Sequence, residues 1–155
     1  MTTVTRSAAR RDDAPAVGAA RASRAYAPLV CLTSLAILAQ SLMAGVFLQS
    51  DHRDDHRSWI DAHGIGADVT TLVALASAVV AFRAFRHRTD LVAGSAALFV
   101  LLLAETGLGH LINGSIGSSE HPGLTIVHIP LGVALLGLTV WLAARVASGR
   151  RAGNL

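Results

Sequence analysis

Residues 25–50 read AYAPLVCLTSLAILAQSLMAGVFLQS, twenty-six residues without one charged side chain. A transmembrane helix needs about 20 predominantly apolar residues, so this run is long enough to cross a bilayer. It is also longer than the apolar core of a signal peptide, which has about 7–15 residues, and no small-x-small cleavage pattern follows it. The run therefore predicts a first membrane helix over residues 27–49 that is retained in the protein.

Three further apolar runs follow, and each is bounded by charged or turn-forming residues. They predict membrane helices over residues 58–86, 90–112 and 123–147. Hydrophobic residues make up 52% of the chain and charged residues only 15%, and the charges are confined to short clusters. A charge at the centre of a bilayer costs roughly 2.5–3.5 kcal/mol, so this segregation is typical of a membrane protein. We expect an all-α fold, a four-transmembrane-helix bundle in an up-down-up-down arrangement.

The arginines predict the orientation of the bundle. Eleven of the thirteen basic residues, all arginine, lie in the N-terminal segment, the 83–88 connection and the C-terminal segment. The positive-inside rule then places both termini in the cytoplasm of a multi-pass cell-membrane protein. Residues 1–24 and 149–155 are expected to be cytoplasmic tails, the first of them disordered, on either side of a membrane domain over residues 25–148. The arginines are thereby accounted for without nucleic acid, and the Ala- and Arg-rich composition suggests a GC-rich bacterial coding sequence.

The histidines gather towards the predicted outer side, and two of them enter helices. His63 and His128 each lie about five residues inside a predicted helix, roughly 7–8 Å below its start at 1.5 Å per residue. They would sit at matching depth on helices 2 and 4, which are diagonal partners in such a bundle. The loop residues His52, His56 and His121 are expected to be solvated.

A weak internal repeat supports the same pairing. Leu-Ala-Gln-Ser at 38–41 aligns with Leu-Ala-Glu-Thr at 103–106, an offset of sixty-five residues, and the same offset carries His63 onto His128. The repeat suggests two related helical hairpins.

Two imidazoles that face each other across a bundle can supply both axial positions of a haem. Small residues on helix 2 below His63, and Gly132 below His128, would leave room for a flat macrocycle or, equally, would permit close helix packing. The small residues on helix 2 are Ala67, Thr70, Ala74, Ser77 and Ala81.

Glu105 is an ionisable residue within the third apolar run, which makes it a functional candidate. Two interpretations stay open for it: a proton relay or contact to the cofactor, or a neutral acid that hydrogen-bonds to Gln40 and holds helices together. His110 lies about 140° around the helix from Glu105, so the two cannot both face the core, and His110 is expected near the interface.

The segments Gln40-Ser41-Leu42-Met43-Ala44-Gly45 and Glu105-Thr106-Gly107-Leu108-Gly109, followed by His63 and His128, resemble one four-helix half of the haem A synthase family. The resemblance covers roughly residues 27–146 and implies histidine ligation of haem near the outer face. That family has eight helices, a Glu followed shortly by His-Arg, and an outer-loop cysteine pair; this chain has four apolar runs, Gly64 after His63, and one cysteine, Cys31. Small four-helix bacterial membrane proteins share the general pattern as well.

The sequence is therefore compatible with three functions. The first is a membrane protein that binds a b-type haem between His63 and His128, with Gln40 and Glu105 beside it, for electron transfer or haem handling. The second is a non-catalytic accessory subunit of a larger membrane complex, or a homodimer, without a cofactor. The third is an outer-face copper or zinc site that uses His52 and His56, since imidazole suits both metals.

Overall fold

The computed structural model describes residues 13–49, 53–113 and 121–151. Over these residues the chain is all-helical, without a strand, so the predicted all-α four-helix class is confirmed. The four helices are α1 (Asp13–Gln49), α2 (Arg53–Ala84), α3 (Thr89–Ile112) and α4 (Thr125–Arg151), and one 3-10 turn, Pro122–Leu124, leads into α4.

All four helices are long and apolar enough to cross a membrane. The qualifying stretches are residues 24–46, 57–84, 89–112 and 125–149, with mean hydropathy between 1.9 and 2.1. The shortest of the four helices, α3, has 24 residues and is about 36 Å long, which exceeds the ~30 Å hydrocarbon core of a bilayer. By length and composition these helices mark the chain as a multi-pass membrane protein.

Two helices begin earlier than the sequence predicts. Helix α1 starts at Asp13, so residues 13–24, expected to be a disordered tail, belong to it. That segment is rich in alanine, the strongest helix former. Helix α2 starts at Arg53, so Ser58 lies inside the helix and does not begin it; no proline or glycine stands between Arg53 and His63 to end the helix.

The helices pack in a ring: α1 contacts α2, α2 contacts α3, α3 contacts α4, and α4 closes on α1. The contacts between α2 and α3 run in opposite directions along the two helices: Asp68 pairs with His110, and Thr71 pairs with Thr106. This order is the one that antiparallel packing of α2 against α3 requires.

The outer surface of the bundle is unlike that of a water-soluble protein. Large apolar side chains point outward, among them Leu42 at 71% exposure and Ile126 at 82%. Small hydroxyl side chains are buried among the apolar core residues, where they allow helices to approach closely and hydrogen-bond in an apolar environment. The buried hydroxyl residues are Thr33, Thr70, Thr71, Ser77, Ser95, Thr106 and Thr139. The outward face is the one that lipid would cover.

One end of the bundle, here called the arginine end, is held by specific polar contacts. Tyr26 on α1 is fully buried and hydrogen-bonds to Ser95 on α3 at 2.6 Å; Ser95 donates its own proton to the Leu91 carbonyl, so Tyr26 is the donor. The Phe85 ring packs edge-on against Tyr26, with 5.3 Å between centroids.

Asp90 at the start of α3 forms a second set of contacts at the arginine end. Its carboxylate accepts hydrogen bonds from Arg88 at 3.0 and 3.1 Å and from Arg145 on α4 at 2.6 and 2.9 Å. The bonds to Asp90 raise the pKa of the Arg88 guanidinium above its ordinary value. This carboxylate therefore ties the start of α3 to the end of α4.

Candidate functional site

The opposite end of the bundle, here called the histidine end, brings together four polar side chains, one from each helix. They are Gln40 on α1, His63 on α2, Glu105 on α3 and His128 on α4, and we refer to them as the polar quartet. All four are only partly accessible. These are the four residues that the sequence selects as a candidate site, and the structure places them in contact with one another in pairs.

The first pair joins α1 to α2. The Gln40 carboxamide lies against His63, in the orientation in which its nitrogen donates to His63 Nδ1 and to the His63 carbonyl, each at 2.8 Å. Its oxygen then accepts from the backbone nitrogen of Ala67 at 3.3 Å. Because Nδ1 of His63 acts as an acceptor here, the proton of the neutral ring sits on Nε2.

The second pair joins α3 to α4. Glu105 Oε1 lies 3.1 Å from His128 Nδ1, and the two side chains are 13% and 22% exposed. The approach of Nδ1 is off the direction of a good hydrogen bond, and the other carboxylate oxygen, Oε2, is buried with no hydrogen-bond partner in the described part of the chain. Glu105 thus contacts His128, whereas the alternative drawn from the sequence had paired it with Gln40.

The two pairs repeat each other at the offset of sixty-five residues found in the sequence. Gln40 approaches Nδ1 of His63, and Glu105 approaches Nδ1 of His128. In each hairpin the residue on the odd-numbered helix therefore engages the same ring nitrogen of the histidine on the following helix. The internal repeat has a structural counterpart in these contacts.

The histidines of the two hairpins meet in the middle of the bundle. The ring centroids of His63 and His128 are 6.4 Å apart, and the ring planes are inclined at 77°. The sequence predicts that each histidine lies about five residues inside its helix. In the structure His63 lies more than two turns inside α2, whereas His128 lies in the first turn of α4. The two rings still meet, because α2 extends beyond the level at which α4 begins.

Glycines make room for the quartet. A Cβ atom added at Gly66 would collide with the Gln40 carboxamide, and one added at Gly132 would lie 3.3 Å from Glu105 Oε1. A Cβ added at Gly109 would lie 3.5 Å from the His128 ring. These positions accommodate polar side chains of the neighbouring helix. Lower on α2, the small side chains of residues 70, 74, 77 and 81 are buried in the bundle, as close helix packing requires.

Two contacts near the quartet involve residues that the sequence analysis did not select. Asp68 Oδ1 on α2 lies 3.3 Å from His110 Nε2 on α3, and Thr71 hydrogen-bonds to Thr106 at 2.9 Å. Asp68 carries the same signal as Glu105, an acid within an apolar run, and could have been found by it. His110 contacts Asp68, and its expected place near the membrane interface stays a prediction.

Of the other histidines, only those in the described residues can be placed relative to the site. His121 and His87 are exposed, and His87 lies at the arginine end. His52, and the side chain of His56, lie outside the described residues, so the predicted copper or zinc pair is not seen. Within the described residues, no group of three or more His, Cys, Asp or Glu side chains is arranged to hold a metal ion.

The donor set of the quartet fits an axial pair of imidazoles. With metal–nitrogen bonds of about 2 Å, two opposed imidazoles have centroids roughly 6 Å apart, close to the spacing of His63 and His128. Such rings are free to be twisted about their common axis, so an angle of 77° is compatible. A histidine that ligates through Nε2 usually donates its Nδ1–H to an acceptor, and Glu105 Oε1, 3.1 Å from His128 Nδ1, is such an acceptor. Glu105 Oε2 and His128 Nδ1 are both buried without a hydrogen-bond partner in the described part of the chain, so this end of the bundle holds polar atoms that are not yet paired.

The fold and the quartet define a class, a four-helix multi-pass membrane protein with paired histidines at one end. Comparisons of the chain with protein-family models, with curated proteins and with solved structures found no match. The resemblance to the haem A synthase family thus rests on the quoted residues alone and stays a prediction.

Proposed function

We propose that this is a cell-membrane protein that binds one b-type haem between His63 and His128, near the outer face, for electron transfer or haem handling. The observation that carries the proposal is the proximity of the two imidazole rings, whose centroids lie 6.4 Å apart between α2 and α4. The acceptor that Glu105 places 3.1 Å from Nδ1 of His128 supports it further.

The number of protein ligands favours haem over a bare metal ion. A structural zinc site takes four protein ligands and a catalytic one takes three. The opposed rings supply two, which is the number of axial positions that a haem leaves to the protein. When bound, haem would supply one-electron chemistry.

Each residue of the quartet then has a distinct task. His63 and His128 would hold the cofactor from opposite sides through Nε2. Glu105 would orient the His128 ring and raise its basicity, which is the usual effect of a carboxylate on a ligating histidine. Gln40 occupies the equivalent place beside His63 but, as an amide, brings no charge.

The arginine distribution supports a position for this site in the membrane. With both termini in the cytoplasm, the arginine end would face inward and the histidine end outward. The bilayer is then the immediate partner of the outward apolar faces, and a larger membrane complex or a second copy is a further candidate partner.

The test is to purify the protein after expression with ample haem and to record the reduced-minus-oxidised absorption spectrum and the haem content. We expect about one haem per chain, lost in His63→Ala and His128→Ala and retained in His87→Ala, an exposed histidine at the other end. A haem-free wild-type protein would refute the proposal.

The alternatives give different results in the same experiment. The ring spacing also suits an edge-to-face contact without any ligand. An accessory subunit without a cofactor would lack haem, would tolerate the histidine changes, and would copurify with a larger complex. A copper or zinc protein would lack haem and would show the metal on elemental analysis.

A further inference from the structure

The two hairpins repeat each other in position but not in chemistry. At equivalent places, α1 offers an amide, Gln40, and α3 offers a carboxylate, Glu105. A carboxylate can only accept a hydrogen bond from the Nδ1–H of a histidine, whereas the amide nitrogen of glutamine can donate one to Nδ1. The two neighbours therefore favour opposite tautomers: Gln40 favours a proton on Nε2 of His63, and Glu105 favours a proton on Nδ1 of His128.

The contacts of Gln40 fix which way its amide faces. The terminal atom near His63 Nδ1 is also 2.8 Å from the His63 carbonyl oxygen, which can only accept, so that atom is the nitrogen. The other terminal atom faces the Ala67 backbone nitrogen, a donor, and is the oxygen. In this orientation Nδ1 of His63 accepts, and Nε2 carries the proton.

A protonated Nε2 has no free lone pair with which to ligate a metal. For His63 to bind through Nε2, the proton must leave that nitrogen, Nδ1 must take one up, and the Gln40 amide must rotate to present its oxygen. The rotation gives up the contacts to the His63 carbonyl and the Ala67 nitrogen. On the other side, Glu105 Oε1 lies 3.1 Å from His128 Nδ1, and a nearby carboxylate oxygen favours a proton on Nδ1, the tautomer that ligates through Nε2.

We propose that Gln40 is a positioning residue that disfavours ligation by His63, so that His128 is the fixed axial ligand and His63 the exchangeable one. The inference rests on the proposed haem site and deepens it. A haem with one exchangeable ligand is suited to haem transfer or to binding a small external ligand, more than to electron transfer alone.

The first experiment examines the haem-free protein. With ¹⁵N-labelled histidine, NMR reports which ring nitrogen of His63 carries the proton. We expect Nε2–H in the wild type and Nδ1–H in Gln40→Glu, where the amide donor is replaced by an acceptor. Nδ1–H in the wild type would overturn the inference, and this result does not depend on whether haem binds.

The second experiment uses the haem-loaded, reduced protein with carbon monoxide as the probe. We expect carbon monoxide to bind the wild type by displacing His63, and to bind Gln40→Glu about 10- to 100-fold more weakly, since a charged hydrogen bond then holds His63 in its ligating form. Gln49→Glu makes the same change at an exposed position of the same helix and should match the wild type.

Gln40→Met covers the case in which a buried glutamate prevents folding. It removes the amide donor without adding charge, and it should weaken carbon monoxide binding to a lesser degree than Gln40→Glu. The inference would be overturned, with the haem site left in place, if the haem-loaded wild type did not bind carbon monoxide. It would also be overturned if the wild type and all Gln40 variants bound carbon monoxide with the same affinity. Absence of haem from every variant would instead refute the proposed function.

Discussion

Glu105 Oε1 lies 3.1 Å from His128 Nδ1, and this contact is the counterpart of the one between Gln40 and His63 in the other hairpin. The two contacts bring one side chain from each helix to the same end of the bundle. Buried polar groups are costly in an apolar environment unless they are paired. Glu105 Oε2 and His128 Nδ1 have no such partner in the described part of the chain, so we expect the histidine end to be sensitive to substitution.

The glycine beside Gln40 gives a first prediction. Gly66→Ala places a methyl group where the Gln40 carboxamide lies, and overpacking of this kind costs typically 1–3 kcal/mol of unfolding free energy. Gly137→Ala is the matched control, because no atom lies within 4 Å of a Cβ added there. The control should be neutral or stabilising by about 0.5–1 kcal/mol. Unfolding in mixed detergent micelles measures the unfolding free energy of each variant. Equal values for Gly66→Ala and Gly137→Ala would contradict the position of the Gln40 side chain beside Gly66.

The hydrogen bond between Thr71 and Thr106 gives a second prediction. Both side chains are buried on facing helices, so a double-mutant cycle with Thr71→Val and Thr106→Val should give a coupling energy of about 0.6 kcal/mol, the average for such bonds in membranes. Thr139 is equally buried but bonds only to its own helix at Leu136. A cycle that combines Thr71→Val with Thr139→Val should show no coupling; coupling there would mean that the measured term is not this bond.

At the arginine end, Tyr26 is the critical side chain. Tyr26→Phe keeps the ring and its contact with Phe85 but removes the donor to Ser95, and we expect a loss of about 0.5–1.5 kcal/mol. Tyr26→Ala empties a fully buried site and should cost about 3–5 kcal/mol. Thermal unfolding in detergent compares the two. A tyrosine-to-phenylalanine change as costly as the alanine change would show that the hydroxyl group, and not the ring, dominates.

The orientation of the bundle is a fourth prediction. A fluorescent protein fused after Leu155 should fluoresce, and a periplasmic phosphatase fused there should be inactive, because the C-terminus is expected in the cytoplasm. Replacing Arg83, Arg86 and Arg88 with Gln weakens the positive-inside signal and should yield a mixed population. An active phosphatase in the unaltered protein would reverse the assignment of the inner and outer faces.

Much of this architecture could be predicted from the sequence, because the constraints imposed by a membrane are simple. Predominantly apolar runs of about twenty residues or more predict the four helices, and the offset of sixty-five residues selects Gln40, His63, Glu105 and His128 together. The structure agrees with the helix number and brings the four residues into contact. Helix ends are less predictable: α2 continues to Arg53 because charged residues are compatible with a helix outside the apolar span.

The contacts within the site could not be predicted in the same way. Periodicity places residues on a helix face, but the rotation of each helix decides whether Glu105 reaches Gln40 or His128. The role of the glycines depends on the same rotation, since Gly66 and Gly132 are occupied by neighbouring polar side chains. The contact between Asp68 and His110 depends on how far α2 is shifted along its axis relative to α3, and the sequence does not determine that shift.

The central claim is that His63 and His128 share one haem, and the spin state of the oxidised, haem-loaded protein tests it most directly. Electron paramagnetic resonance of the wild type should show a low-spin ferric haem, with hyperfine coupling to two histidine nitrogens when the histidines are ¹⁵N-labelled. His63→Ala should convert it to a high-spin, singly ligated form, and His87→Ala should leave the spectrum unchanged. A low-spin signal that survives His63→Ala and His128→Ala alike, or a wild-type protein without a haem signal, would contradict the account.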